Sequence, residues 1–290
     1  MMSQLNNRYE FIMIFDVENG NPNGDPDAGN MPRVDAETGY GIVTDVCLKR
    51  KIRNYIDEIY EGEAGKNILI KTDKSLNRKF KEAYEACGLK TAKIDADKKP
   101  DPDEAEKAQE YLLANYYDVR TFGAVMNTGG NRAGTVKGPV QVNFARSIDK
   151  VFPQEITITR QAITKEKDMA SKETEMGKKT FIPYGLYRAE GYVSALLARK
   201  TNFSEEDLEL LWESIANMFE LDHSAARGKL CMRKLIVFKH ETMLGNAPSH
   251  VLFDKVVIEK KEDVEVPRKF ADYSIIIDDM PEGVELIEKL

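Results

Sequence analysis

Residues 9–17 (YEFIMIFDV) are aromatic, branched or otherwise apolar at almost every position. A run this short, and this rich in β-branched and aromatic side chains, reads as a buried strand. The chain must therefore build a sheet and cover it. A loop rich in Gly, Asn, Pro and Asp follows at 18–41, and then a helical stretch at roughly 44–60. Thr44 is placed to cap that helix, and Asp45 suits its positive first turn.

Further on, 68–71 is a short apolar stretch that predicts a strand. Residues 74–87 predict a helix ending at Gly88. Residues 90–103 read as a charged linker, 104–117 as a helix, and 118–138 as Gly-rich and irregular. Strand character returns at 140–151, in the alternating segment 155–163 (EITITRQAI), and at 181–194 (FIPYGLYRAEGYVS). An amphipathic helix is expected over 204–221, with Ser204 as cap and Asp207 completing a capping box. Strands are expected at 230–240, 255–259 and in YSIIID, with a short helix at the C-terminus. Strands and helices alternate irregularly with no internal repeat, which predicts an α+β domain with one main sheet and large insertions.

Hydrophobic residues make up 42 % of the 290, enough to bury a core, and charged residues 31 %. No apolar run is long enough to span a bilayer, and 1–8 lacks an apolar signal core. Cys47, Cys87 and Cys231 lie far apart with no paired spacing, which fits a reducing cytoplasm better than a disulfide framework or a zinc knuckle. The net charge of −7 argues on its face against nucleic acid. Binding depends on local clusters, however, and the acid is concentrated late. Residues 202–226 carry seven acidic side chains and no Lys or Arg, and the tail after Val251 is acid-rich too.

Lys49, Arg50, Lys51 and Arg53 place four positive charges within five positions. On a helix, Leu48, Ile52, Tyr55, Ile56 and Ile59 share the apolar face, and Lys49, Arg50 and Arg53 fall on an adjacent arc of about 100°. Such an arc can track phosphates; a solvated helix face has the same pattern. The 19–29 loop faintly resembles a calcium loop, but its first ligand is Asn19 and Asn30 stands where Glu is needed. Backbone N–H groups offered to phosphate or to a neighbouring subunit, with Arg33 close by, fit it better. A long turn-rich connector fits as well. The segment 129–138 (GGNRAGTVKG) is neither a Walker A motif nor a dinucleotide fingerprint. It leaves a flexible loop carrying Arg132 and Lys137.

The polar insert 164–179 lies between two strand-like segments, so a hairpin arm is the expected geometry. Met169 and Met176 are its apolar groups, available to wedge against bases. A disordered loop is the alternative. Catalysis finds little support: there are three histidines, no H-E-x-x-H and no G-x-S-x-G. A metal-dependent ribonuclease using Asp16, Asp25 or Asp27 remains the rival reading, and a basic helix that contacts only protein is a second.

The segment FDVENGNPNGDPDAGNMPRVDAETGYGIVTDVCLKRKIRNYI resembles the N-terminal signature of the Cascade backbone subunit of CRISPR subtype I-C. The resemblance continues through DVRTFGAVMNTGGNRAGTVKGPVQVNFARSIDKVFP and FIPYGLYRAEGYVS, to about residue 240. It implies a modified RNA-recognition-motif (ferredoxin-like) core as a single palm domain over 1–290. It further implies a helical finger-like insertion over about 61–118 and a thumb hairpin over about 157–185. The implied partners are crRNA, target DNA, identical subunits in a head-to-tail filament, other Cascade subunits and a recruited helicase-nuclease. No membrane, cofactor, metal or catalytic residue is implied. The RNA-contacting set expected on this basis is Arg33, Lys49, Arg50, Arg53, Arg132, Lys137, Arg160 and Arg188, with Met169 and Met176 displacing bases. No aromatic stacking signature of the usual kind is found on a strand. Recognition of backbone rather than base is therefore expected, leaving specificity to base pairing.

Overall fold

The computed structural model describes residues 3–96, 100–164, 166–168 and 174–290. Strand β1 (Tyr9–Gly20) is buried at every position from Tyr9 to Val17. It can be apolar on both sides because both faces of its sheet are covered. β1 pairs antiparallel with β10 (Glu175–Val193) on one side and β11 (Lys229–His240) on the other. β8 (Ala145–Lys150) and β4 (Tyr40–Val43) extend the sheet beyond β10, and β14 (Val284–Glu288) extends it beyond β11. β7 (Val140–Val142) and β9 (Gln154–Arg160) also pair with β10.

One face carries Phe11, Met13 and Phe15 of β1, Tyr187 of β10 and Leu235 of β11. It lies under α1 (Asp45–Ile59), through Leu48, Ile52 and Ile56, and under α6 (Glu205–Asn217), through Leu208, Leu211 and Trp212. Trp212 meets Phe11 edge-on at 5.2 Å, and Phe15 stacks on Tyr187 at 5.5 Å. Gly191 faces Phe11 across the β1–β10 ladder, and a Cβ there would overlap the Phe11 ring. α5 (Ala195–Thr201) follows β10 on this side. The other face carries Ile12, Ile14, Tyr184, Leu186, Ile236 and Phe238. A small C-terminal unit covers it: α7 (Ser249–Asp254), β12 (Val256–Lys260) and β13 (Tyr273–Ile277), contributing Leu252, Phe253, Val256 and Tyr273.

A third core belongs to the segment between α1 and β7. α2 (Leu76–Ala86) packs Phe80, Ala83 and Tyr84 against Ala108, Leu112 and Leu113 of α3 (Pro102–Asn115). Val119 of α4 (Tyr117–Phe122) and Met126 of β5 (Gly123–Met126) complete it, and β5 pairs with β6 (Gly134–Lys137). A two-residue ladder, β2 (Gly24–Asp25) with β3 (Met31–Pro32), lies in the loop after β1.

Helix ends follow local chemistry. The Thr44 hydroxyl accepts from the Cys47 amide, and Ser204 and Asp207 form the expected capping box. α2 ends just before Gly88, which takes φ +66°. Three expectations are corrected. Residues 68–71 form no strand, because the Leu69 and Ile70 amides go to the Asp118 carboxylate. Residues 118–138 are not irregular but form α4 and the β5–β6 hairpin. The C-terminus is strand β14 rather than a helix. Val284 to Glu288 pair with His240 to Ile236 and close the open edge of β11, and a helix of one or two turns has little stability of its own to compete. No described helix is long and apolar enough to cross a membrane.

Candidate nucleic-acid interface

The loop after β1 is pinned to its surroundings by its own asparagines. Asn23 Oδ1 accepts from both the amide and the hydroxyl of Thr44, each at 3.0 Å, which ties the loop to the start of α1. Asn21 Nδ2 donates to the Asn30 carbonyl at 2.8 Å. Arg227 donates to the carbonyls of Asn21 and Pro22, both at 3.2 Å. Thr180 of β10 donates to Asn30 O at 3.3 Å, bringing the hairpin root to the same place. Asn21 and Asn23 thus hold the loop together, as an ordered connector does. Arg33 is half-buried within it, 3.3 Å from Asp25.

The cations of α1 sit differently from the open arc that the sequence predicts. Lys49 pairs with Asp45 at 2.9 Å. Arg50 donates to Ile70 O at 2.6 Å. Arg53 Nε donates to Asp118 at 2.8 Å, and the side chain is only 11 % exposed. The Phe122 ring of α4 lies against this arc, 5.8 Å from Lys49 Nζ and 5.1 Å from Arg53. With 118–122 read as irregular, α4 could not be placed there from the sequence. Lys51 is buried beside Asp222. Burial pushes its ammonium down to about 8, against the Cys47 thiol and with help from Arg227.

The remaining candidates are spread around this centre. Arg132 donates from Nε to Gly129 O at 3.1 Å, and Lys137 is exposed at the end of β6. β9 is exposed along its whole length and pairs with the first third of β10, from Arg160↔Glu175 to Gln154↔Phe181. Arg160 lies exposed on it and donates to Ala162 O and to the Thr164 hydroxyl. Met176 is 79 % exposed on the same hairpin; Met169 lies outside the described residues. Arg188 is in a different place altogether. It donates to Val256 O at 2.6 Å and Phe253 O at 2.7 Å, anchoring the C-terminal unit to the sheet. Of the eight arginines and lysines singled out, Arg33, Lys49, Arg50 and Arg53 come together around the loop and α1. The others do not join them.

The acids of the rival ribonuclease reading have other work. Asp16 is buried, and its two oxygens accept from Tyr184 at 2.9 Å and Arg233 at 2.8 Å. Asp25 caps the short turn after it through Asp27 N, and Asp27 is exposed. The sequence reasoning missed Asp118 and Phe122, which organise the cations of α1. Asp118 accepts from positions 48 to 65 residues away, and no local pattern signals that.

The family model described as CRISPR-associated protein Cas7 matches residues 7–278. A Haloferax volcanii protein named CRISPR-associated protein Cas7 is 27 % identical over 307 residues, covering 98 % of this chain and 84 % of its own length. Among solved structures, a chain of a CRISPR RNA-guided surveillance complex in a pre-nicking state superposes with a TM-score of 0.50 at 15 % identity. That superposition covers 80 % of this chain and 78 % of the other, and it speaks to the fold.

Proposed function

The chain belongs to the Cas7 family of CRISPR-associated proteins, and on that premise we propose that it is the crRNA-binding backbone subunit of a type I-C Cascade complex. Copies stack head to tail along one guide RNA, a heterologous contact that builds a filament rather than a closed dimer. They hold sugar and phosphate without reading bases, and present the guide for pairing with target DNA. Other Cascade subunits cap the assembly, and a separate helicase-nuclease, recruited to it in the cytoplasm, degrades the DNA. The observation that carries this reading is the family match along nearly the whole chain.

The fold is consistent with it. The central sheet serves as an RNA-recognition-motif-like palm, about 61–118 as a finger whose apolar core continues into Val119 and Met126, and about 157–185 as a thumb. A plain RNA-recognition motif stacks bases on an open sheet face. Here Leu252, Phe253 and Val256 lie over that face, which favours a backbone grip. Arg33, Lys49, Arg50, Arg132, Lys137 and Arg160 are the proposed phosphate contacts, with Met176 and Met169 as wedges. Arg53 and Arg188 support the site by holding Asp118 and the C-terminal unit. No catalytic step is assigned, and the two engaged oxygens of Asp16 leave no case for preferring the ribonuclease reading.

Filter binding of purified protein to unrelated single-stranded RNA sequences tests the proposal. Affinity should be alike across sequences and fall by at least about 300-fold between 50 and 200 mM salt, as for six or more phosphate contacts on a single strand. Binding that ignores salt sinks it. RNA cleavage in Mg²⁺ that Asp16→Ala or Asp25→Ala abolishes would restore the rival.

A further inference from the structure

We infer that Arg227 is a positioning residue for the RNA interface: it sets the bend at Pro22 and Asn23 that carries Arg33 to a phosphate. This rests on the RNA-binding reading and deepens it, by naming a side chain that acts on the interface without touching RNA.

β1 ends at Gly20, its last rung against β10. Asn21 and Pro22 are buried just beyond it, so their carbonyls need donors from elsewhere. Arg227 supplies both. Its Nη1 donates to Asn21 O and to Pro22 O, each at 3.2 Å. The two chain passes meet as backbone too: Asn21 N donates to Ala226 O at 2.9 Å, and a Cβ on Gly20 would overlap the Arg227 carbonyl. Arg227 is itself aimed. Its amide donates to Ser224 O at 3.1 Å, and its Nε lies 3.4 Å from Asp222. Asp222 in turn pairs with Lys51 of α1.

Pro22 and Asn23 are where this anchoring meets the interface. Pro22 O also accepts from Cys47 Sγ at 3.5 Å. Asn23 O accepts from the Arg33 amide at 3.1 Å, and Arg33 O accepts from the Ile42 amide at 2.9 Å. The backbone of Arg33 is thus held between Asn23 and β4, and Arg227 fixes the residue that precedes Asn23. Both Nη1 protons of Arg227 are committed to carbonyls and its Nε faces Asp222, so it works through the loop and not as a phosphate contact. Its place in the sequence hides the role. It is the first cation after the acidic stretch 202–226, and the carbonyls it holds lie 206 and 205 residues away.

The test is a double-mutant cycle on RNA affinity. Wild type, Arg227→Ala, Arg33→Ala and the double variant are each titrated with one single-stranded oligoribonucleotide, after circular dichroism shows them folded at that temperature. Arg227→Ala should weaken binding about tenfold, the scale of a hydrogen bond to a charged group, and Arg33→Ala at least as much. In the Arg33→Ala background, Arg227→Ala should cost less than about twofold. Equal losses in both backgrounds, or no loss in either, overturn the inference, since Arg227 would then grip RNA itself or do nothing for it. If Arg227→Ala does not fold, Arg227→Lys, which keeps the charge but loses the Nε contact to Asp222, takes its place with the same pattern expected. Asp222→Ala supplies a test of sign. It removes an anion near a polyanion, so electrostatics alone would tighten binding, whereas loss of the aim of Arg227 should weaken it. Tighter binding overturns the inference. Without RNA, alkylation of Cys47, resolved by mass spectrometry, should quicken in Arg227→Ala as Pro22 O leaves the thiol, while Cys87 keeps its rate. An unchanged Cys47 rate overturns the inference too. Wild type that binds no RNA overturns the RNA reading and the inference with it, whereas failure of the cycle alone leaves that reading standing.

Discussion

Asp118 shows how a residue outside any motif shapes the cationic centre. Its carboxylate is buried and accepts from Arg53 and from the amides of Leu69 and Ile70. Asp118→Ala should orphan all three donors and destabilise the protein by about 3 kcal/mol, read by urea unfolding. Arg53→Ala should cost a similar amount, because it leaves the carboxylate buried with less compensation. Lys49→Ala and Arg50→Ala should instead weaken RNA binding with little change in stability. If all three substitutions proved equally destabilising, the arc would be purely structural. Lys51 gives a pH signature. Its folded value of about 8 lies below the ordinary 10.5, so between these values the unfolded chain binds the extra proton and stability rises with pH, by up to about 1.4 kcal/mol per unit. Above 10 the sign reverses. Tyr55 is held up to about 12 by burial and by Glu213, and Tyr60 to about 12 mainly by its hydrogen bond to Glu213, so the native state keeps protons that the unfolded state loses. Urea titrations should show maximal stability near pH 10, and Lys51→Met should abolish the rise from pH 8. The sequence revealed the cations of α1 but not the partners of Arg50, Lys51 and Arg53, which come from positions 20 to 171 residues away.

Elements were legible where their signals are local. The Thr44 cap and the Ser204–Asp207 box mark helix starts within four residues, and β1 declares itself by composition. β14 and the β5–β6 hairpin were not legible, because strands this short are fixed by a partner rather than by their own pattern. A chain stopped before Val284 should test this: β11 would regain an open edge, and Leu286 and Ile287 would leave their packing. Lower thermal stability and a greater tendency to aggregate are expected; an unchanged melting curve would mean the strand adds nothing. The β9–β10 hairpin is two-stranded beyond the sheet, and such ribbons are marginal alone. Trypsin should cut the free chain first at Arg160, Lys178 or Lys179 and should spare those bonds when RNA is bound. Equal cutting in both states would count against a thumb.

At the scale of the molecule, charge is segregated. α6 turns Leu208, Leu211 and Trp212 to the sheet and leaves Glu206, Glu209 and Glu213 exposed, while the cations of α1 and the hairpin lie elsewhere. Net acidity thus coexists with local clusters of cations. If copies polymerise along the guide, sedimentation on RNAs of increasing length should show particle mass rising in steps of one subunit, with no such ladder without RNA. A single mass at every length would contradict a filament. The sequence conveyed a sheet-centred α+β fold, but not the covering of both faces, which follows from contacts between distant segments.

β10 runs for 19 residues, about 60 Å if fully extended. It is at once the protruding arm and a rib of the sheet, paired with β9 at one end and β1 at the other. No joint separates the two parts, so the projection is a cantilever rooted in the molecule's stiffest layer. A load on its tip would be borne as torque by the β1 and β8 ladders. The angle at which the arm leaves the molecule is therefore set by sheet twist rather than by loop slack, so any two copies of the chain would have the same reach.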